Sequence, residues 1–208
     1  SAFCVTSEDK RNTKLSQKIE VGQDGAAVLL QRLALPDYRT LKYRIRYHAR
    51  LIGEISGNVS FHGAAGNERQ TLSNVCSSGT GNGEWKEYEC ELTLSSSSVR
   101  FNDRHGVYNL WMEFSGSGTA YVDHVTLFPS DCVDGIFNPE TIENFRKYKI
   151  QAVRWPGGNF TSAYNWKNGI GQWIDRPCLK NDAWGGLDSN LLGTDEFMRF
   201  CQLTGIEP

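Results

Sequence analysis

The sequence predicts an all-β sandwich over residues 1–132, followed by a shorter segment, 133–208, in which strand and helix alternate. Two observations predict the sandwich. Residues 41–48 alternate apolar Leu41, Tyr43, Ile45 and Tyr47 with charged or polar neighbours, the period-two signature of a half-buried strand. Similar short stretches at 57–61, 88–94, 108–114 and 120–128 lie between SGNV, SSGTGNG and SGSGTA, read as turns, a spacing typical of antiparallel sandwiches. The third observation is a change of rhythm at Asn138.

Asn138-Pro139-Glu140 supplies a cap, a proline at the first helical position and an early acid, and Ile142, Phe145 and Tyr148 or Lys149 follow at helical spacing. A short apolar strand over 150–155 comes next. It runs into Pro156-Gly157-Gly158, where proline cannot continue a ladder and two glycines permit an abrupt turn. A polar and aromatic loop of some 40 residues reaches Gly193, far longer than the usual ~2–6 between strand and helix, and loops of that length are commonly functional. Thr194-Asp195-Glu196 then opens a second helix with Phe197, Phe200 and Cys201 on one face, ending near Gly205, and Ile206-Glu207-Pro208 marks the start of another strand. Helix, strand, loop, helix is a piece of a βα-repeat fold.

With 208 residues, 39% hydrophobic and 12% aromatic, the chain has enough apolar material for one large or two small cores. A net charge of −2 and a pI near 6.1 exclude the basic footprint of a nucleic-acid partner or an anionic-membrane partner. No apolar run approaches the ~20 residues that span a bilayer, and SAFCVTSEDK lacks the regions of a signal peptide, so a secreted protein would have lost its leader already.

Six cysteines form no CxxC pair, which disfavours zinc and favours disulfides over buried thiols. Cys76 and Cys90 flank a Gly/Ser-rich loop they would staple, and Cys4 and Cys132 would close the ends of the β-rich region. Asn58-Val59-Ser60 and Asn159-Phe160-Thr161 are glycosylation sequons. These features point to an extracellular protein. His48, His62, His105 and His124 form no spaced cluster, so no catalytic metal is expected, and nothing calls for an organic cofactor.

The motifs Arg154-Trp-Pro-Gly-Gly-Asn-Phe160, Tyr164-Asn-Trp166, Asn168-Gly-Ile-Gly171, Arg176-Pro177, Ala183-Trp184 and Gly193-Thr-Asp-Glu-Phe197, continuing through Gly205-Ile-Glu-Pro208, resemble the early catalytic barrel of family-51 α-L-arabinofuranosidases. Upstream, residues 83–88 and 118–129 resemble the carbohydrate-binding-module-like, jelly-roll sandwich that some members insert near the start of that barrel. The resemblance implies a sandwich followed by the incomplete N-terminal part of a (β/α)8 barrel. Departures are Gln172, where the family usually has Pro, and Leu187-Asp188-Ser189-Asn190, where it often has Glu before its Asn.

In that family Arg154 would support the nucleophile electrostatically, Asn159 would bind a sugar hydroxyl and Trp184 would pack near the arabinose ring, at the strand ends where such barrels keep their sites. The structural alternatives are an Arg salt bridge, a turn-capping Asn and a core Trp. A glycan on Asn159 would fill the pocket, so its sequon and its site role conflict. Related sandwiches often hold calcium, which makes Asp123 a candidate ligand, against the alternative of a satisfied strand-end residue.

A retaining glycosidase needs two carboxyl groups about 5–5.5 Å apart, and the family's two glutamates lie on later barrel strands. Asn67-Glu68, the one Asn-Glu dipeptide, reads as a loop of the sandwich and is rejected as the acid. Asp175, Asp182, Asp188, Asp195, Glu196 and Glu207 lie in the barrel portion, with Asp195 and Glu196 assigned to a helix N-terminus. No catalytic residue is therefore expected within these residues. Three readings follow. One is a segment of an arabinofuranosidase acting on arabinose-containing polysaccharide by double displacement. Another is a carbohydrate-binding module with a barrel stub, in which Trp85, Tyr88, Trp111 or Tyr121 stacks on sugar or else belongs to the core. The last is an extracellular structural subunit. A barrel slice with open strand edges would need the remainder of the barrel, or other copies in an assembly, as partner.

Overall fold

A computed structural model describes residues 2–11, 15–63 and 81–208, and the backbone alone at 76–78. Contacts divide the chain into two units, Ser1–Asp131 and Cys132–Pro208.

The first unit is built from strands: β1 (Ala2–Thr6), β2 (Ser16–Leu35), β3 (Lys42–Gly63), β4 (Cys76–Ser78), β5 (Gly81–Thr93), β6 (Arg100–Asn102) and β7 (His105–Pro129). All pairings are antiparallel, in the order β1-β2-β7-β3-β4, with β5 also on β3 and β6 on β7. SGNV and SGSGTA, expected as turns, lie inside the 22-residue β3 and the 25-residue β7. The physical reason is a glycine row. Gly118 stands opposite both Val21 and Gly53, and Gly116 opposite both Gly25 and Ile55. A β-carbon on Gly116 would strike the Glu54 carbonyl oxygen, and one on Gly118 that of Ile52.

A straight 25-residue strand would run about 80 Å, while 131 residues pack to a radius of gyration of only about 14 Å. The three long strands must therefore bend, and the glycine row lets them do so without breaking the ladder. One core spans both sides of the bend: Ile19, Tyr43, Ile45 and Tyr47 on one side and Val59, Phe61, Tyr108 and Phe114 on the other are essentially solvent-free in a single cluster. The sheet thus covers its own apolar face, as a sandwich does. On the opposite face of β3 and β5, Lys42, Arg44 and Arg46 pair across the strands with Glu91, Glu89 and Glu87, including Arg46 to Glu89 at 2.6 Å. The alternation in residues 41–48 therefore puts aromatic and aliphatic side chains in the core and a charged ladder outside.

The second unit carries α1 (Pro139–Lys147), the short pair β8 (Leu179–Lys180) and β9 (Leu187–Asp188), and α2 (Thr194–Thr204). Asn138 caps α1 by accepting from the Glu140 amide at 2.9 Å, and Gly205 ends α2 in the left-handed region. Phe197, Cys201 and Ile206 are buried with Phe145, Val153, Trp155 and Phe200 around them. The strand expected over 150–155 shortens to a parallel bridge between Ala152 and Glu207, with Val153 N–H donating to Glu207 O at 3.0 Å and Glu207 N–H to Gln151 O at 2.8 Å.

Candidate saccharide site

RWPGGNF turns as its composition demands. Gly157 and Gly158 have φ of 72° and 60°, and the Trp155–Pro156 peptide is cis. The Trp155 ring anchors the strand end below the turn, stacked on Phe197 at 5.6 Å and edge-on to Tyr164 at 5.8 Å. Beyond it the chain rises into a 310 turn, Gly158–Ser162.

Arg154 and Asn159 are both exposed, and their side chains make no hydrogen bond or ion pair among the described residues. The salt-bridge and turn-capping alternatives are thus not what these two side chains do here. Trp184 is 72% exposed, so it is no core residue. Its indole edge lies by the same turn, with Cζ2 3.8 Å from where a β-carbon on Gly158 would stand. Asn181 sets that position, its Oδ1 accepting from the Ala183 and Trp184 amides at 3.1 and 2.9 Å.

The buried arginine of the unit is Arg176, only 3% exposed. Its guanidinium meets both oxygens of Glu196 at 2.8 Å and also donates to the carbonyls of Gly171, Asn190 and Leu191. Glu196 further accepts from Trp173 Nε1 and from the Gly193 amide, each at 2.9 Å. Burial pushes the Glu196 carboxyl up, but these donors outweigh it and hold it below the usual carboxylate range. Glu196 is therefore a helix-start acid, as its sequence position predicts, and also the anchor of the long loop. Sequence spacing contained no signal for its partner 20 residues away.

Between the 310 turn and the β8–β9 pair lies a cleft of about 220 Å³, lined by Phe160, Tyr164, Asn165, Asn168, Asn181 and Asp188 among others. Of the acids in this unit, Asp182 pairs with Lys180 at 2.9 Å and Asp188 accepts from the Asn190 amide at 2.9 Å.

In the sheet unit, the Asp123 carboxylate is occupied by backbone, accepting from the Arg11 and His124 amides at 3.0 and 2.8 Å. No group of three or more His, Cys, Asp or Glu suited to a metal ion forms among the described residues. The four candidate stacking aromatics are all engaged with the fold. Tyr121 is buried, Tyr88 stacks on Tyr47 at 5.4 Å, Trp111 lies 4.3 Å from the His62 ring, and Trp85 donates to Asp9 Oδ1 at 2.8 Å. Asn58 sits half-buried inside β3, opposite Glu113.

Cys90 is disulfide-bonded, while the Cys76 side chain and the Asn67-Glu68 dipeptide lie outside the described residues. The expected Cys4–Cys132 bridge is not formed. Cys4 is a free, exposed thiol on β1, which is paired along one side to β2 and turns this side chain to solvent.

Residues 144–208 match the Alpha-L-arabinofuranosidase 1 domain. The chain is 43% identical over 72 residues to the probable alpha-L-arabinofuranosidase C of Aspergillus fumigatus and 40% identical over 72 residues to alpha-L-arabinofuranosidase C of Emericella nidulans, in each case 35% of this chain and 14% of the relative. It is 36% identical over 73 residues to an intracellular exo-alpha-L-arabinofuranosidase of Bacteroides ovatus, again 35% of this chain and 14% of that protein. Among solved structures it is similar to TmCBM61 in complex with beta-1,4-galactotriose (17% identity, TM-score 0.40, 57% of this chain and 72% of that one) and to a family 16 carbohydrate-binding module (15%, 0.42, 61% and 84%). The chain thus spans 14% of the length of the curated relatives it matches. The similarity to the α-L-arabinofuranosidases lies in residues 144–208.

Proposed function

We propose that this chain is a segment of an α-L-arabinofuranosidase of the retaining, family-51 type, in which Arg154, Asn159 and Trp184 form part of the arabinose pocket and the two catalytic glutamates come from outside these 208 residues. One observation carries the reading: within the stretch that matches the arabinofuranosidase domain, Arg154 and Asn159 are exposed and uncommitted, and Trp184 stands exposed beside the same turn. An uncommitted cation at a strand end is suited to support an anionic nucleophile, and an amide to bind a hydroxyl. The (β/α) barrel assignment for this unit is supported by the parallel Ala152–Glu207 bridge with α2 between its two strands, the connectivity of a βα repeat. The substrate would be an arabinose-containing polysaccharide, and the remainder of the barrel the partner of the open strand edges. The disulfide at Cys90 supports an extracellular location.

The test is arabinose release from an aryl α-L-arabinofuranoside by the full-length polypeptide. Release is expected, falling by about 10²-fold or more in Arg154→Ala, as for loss of one electrostatic stabiliser. No release by the wild-type polypeptide overturns the proposal.

A further inference from the structure

We propose that the cleft between the Gly158–Ser162 turn and the β8–β9 pair is a second saccharide subsite, built for one neutral sugar ring of the polymer and selective against acidic sugars. The proposal rests on the reading that this unit handles saccharides. It concerns residues other than Arg154, Asn159 and Trp184.

Size is the first argument. About 220 Å³ is below the roughly 300–1,000 Å³ of pockets for drug-sized ligands, so the cleft has room for a ring and not for an oligosaccharide. The lining is the second. Phe160 and Tyr164, with ring centroids 5.1 Å apart, supply an aromatic wall, which the apolar face of a sugar requires. Around it stand side chains whose one end is fixed by backbone and whose other end is unused. Asn165 Oδ1 accepts from the Lys167 amide at 3.2 Å and Asn181 Oδ1 from two amides, leaving both Nδ2 groups without a partner among the described residues. Asp188 spends Oδ1 on the Asn190 amide and keeps Oδ2 as an acceptor. The Asn168 side chain has no partner among the described residues. Fixed donors beside fixed acceptors match hydroxyls, which both donate and accept.

Charge is the third argument and sets the specificity. Lys180 is paired with Asp182, so the cleft's remaining charge is the anion of Asp188. Its field is felt by lining and neighbouring groups: burial first and then Asp188 push the Cys178 thiol up. A uronate carboxylate entering here would meet a like charge with no free cation among the lining residues. The cleft adjoins the arabinose-pocket candidates through the chain, since Phe160 follows Asn159 and Ala183 precedes Trp184, so a ring bound here would be a neighbour of the arabinose and not a competitor.

The test uses the full-length polypeptide and isothermal titration with xylotriose, arabinotriose and trigalacturonic acid. At least one neutral trisaccharide is expected to bind, and the acidic one at least tenfold more weakly. Ala163→Trp, which fills the cleft, and Asn168→Ala, which removes an unpartnered amide, are each expected to weaken neutral binding, by tenfold or more and by threefold or more. Asn168→Ala breaks no bond of the fold, so it decides the matter if the tryptophan variant fails to fold. Undiminished affinity in Asn168→Ala, equal affinity for the acidic trisaccharide, or no binding of either neutral one overturns the subsite. Hydrolysis of the aryl arabinofuranoside reports separately on the catalytic reading. Its absence alongside variant-sensitive binding leaves the subsite standing, and its presence with variant-insensitive binding removes the subsite alone.

Discussion

The two units differ in how much of their cohesion is apolar. The sheet unit buries a continuous cluster from Ile19 to Val122, sets the β3–β5 charge ladder outside it, and holds the buried Asp37 carboxylate with Arg100, Tyr108 and the Gly106 amide. The C-terminal unit has a small apolar cluster and fastens some 40 residues of loop with one buried ion pair, Arg176–Glu196. Stability in the first is spread over many interchangeable apolar contacts. In the second it is concentrated in a few hydrogen bonds with strict geometry, which rigidify the long loop.

The sharpest break of this comparison is Arg176→Ala. It leaves the Glu196 carboxylate buried without its cation, at a cost of about 3–5 kcal/mol. Denaturant titration should show the C-terminal unit unfolding early, with fluorescence of Trp173 and Trp184 changing first and the sheet unit's transition unmoved.

Mild acid should separate the units the other way. All four histidines lie in the sheet unit. Burial lowers the pKa of His48, whose surroundings include Glu87, Arg11, Asp123 and Arg46, and burial and then His48 lower that of His124, 6.0 Å away. A base with a depressed folded pKa costs stability as pH falls below its unfolded value of about 6.5, because only the unfolded chain takes the proton. The loss has a ceiling of about 1.4 kcal/mol per pH unit for each histidine. The sheet unit should therefore weaken between pH 6.5 and 5, and His48→Gln should reduce the slope. The C-terminal unit should hold until the pH falls through the lowered pKa of Glu196, since a depressed carboxylate gives stability that is present above the unfolded value of about 4.3 and lost below. Simultaneous melting of both units at pH 5.5 would contradict this.

The smallest effect is expected from Arg46→Ala. Its pairs with Glu87 and Glu89 are solvent-exposed, and such pairs contribute about 1 kcal/mol or less. A shift in the unfolding midpoint beyond that, or one insensitive to salt, would give the ladder a larger share of the sheet's stability than the apolar core leaves for it.

What was legible in the sequence followed from local rules. Alternation over residues 41–48 placed Tyr43, Ile45 and Tyr47 in the core, and Asn138-Pro139-Glu140 and Gly205 marked helix ends where the structure has them. The Pro-Gly-Gly turn was equally local. The misread segments were those in which one local signal has two meanings. SGNV and SGSGTA carry turn composition, but glycine also lets a strand bend and lets another backbone approach, and only the neighbouring strands decide between the two.

By itself, then, the sequence determined which residues alternate, where helices begin and end, where the chain turns sharply, and that residues 144–208 are similar to the arabinofuranosidase domain. Only the tertiary structure decided that three strands run unbroken through a glycine row, that Arg176 and not Arg154 is the buried guanidinium, that Cys4 stays a free thiol, and that Phe160, Tyr164, Asn165, Asn181 and Asp188 converge on one cleft. The reason is range. Periodicity and capping act within a few residues, whereas a sheet bend, a buried ion pair and a cleft are made by groups that share no local pattern and meet through the packing of the whole unit.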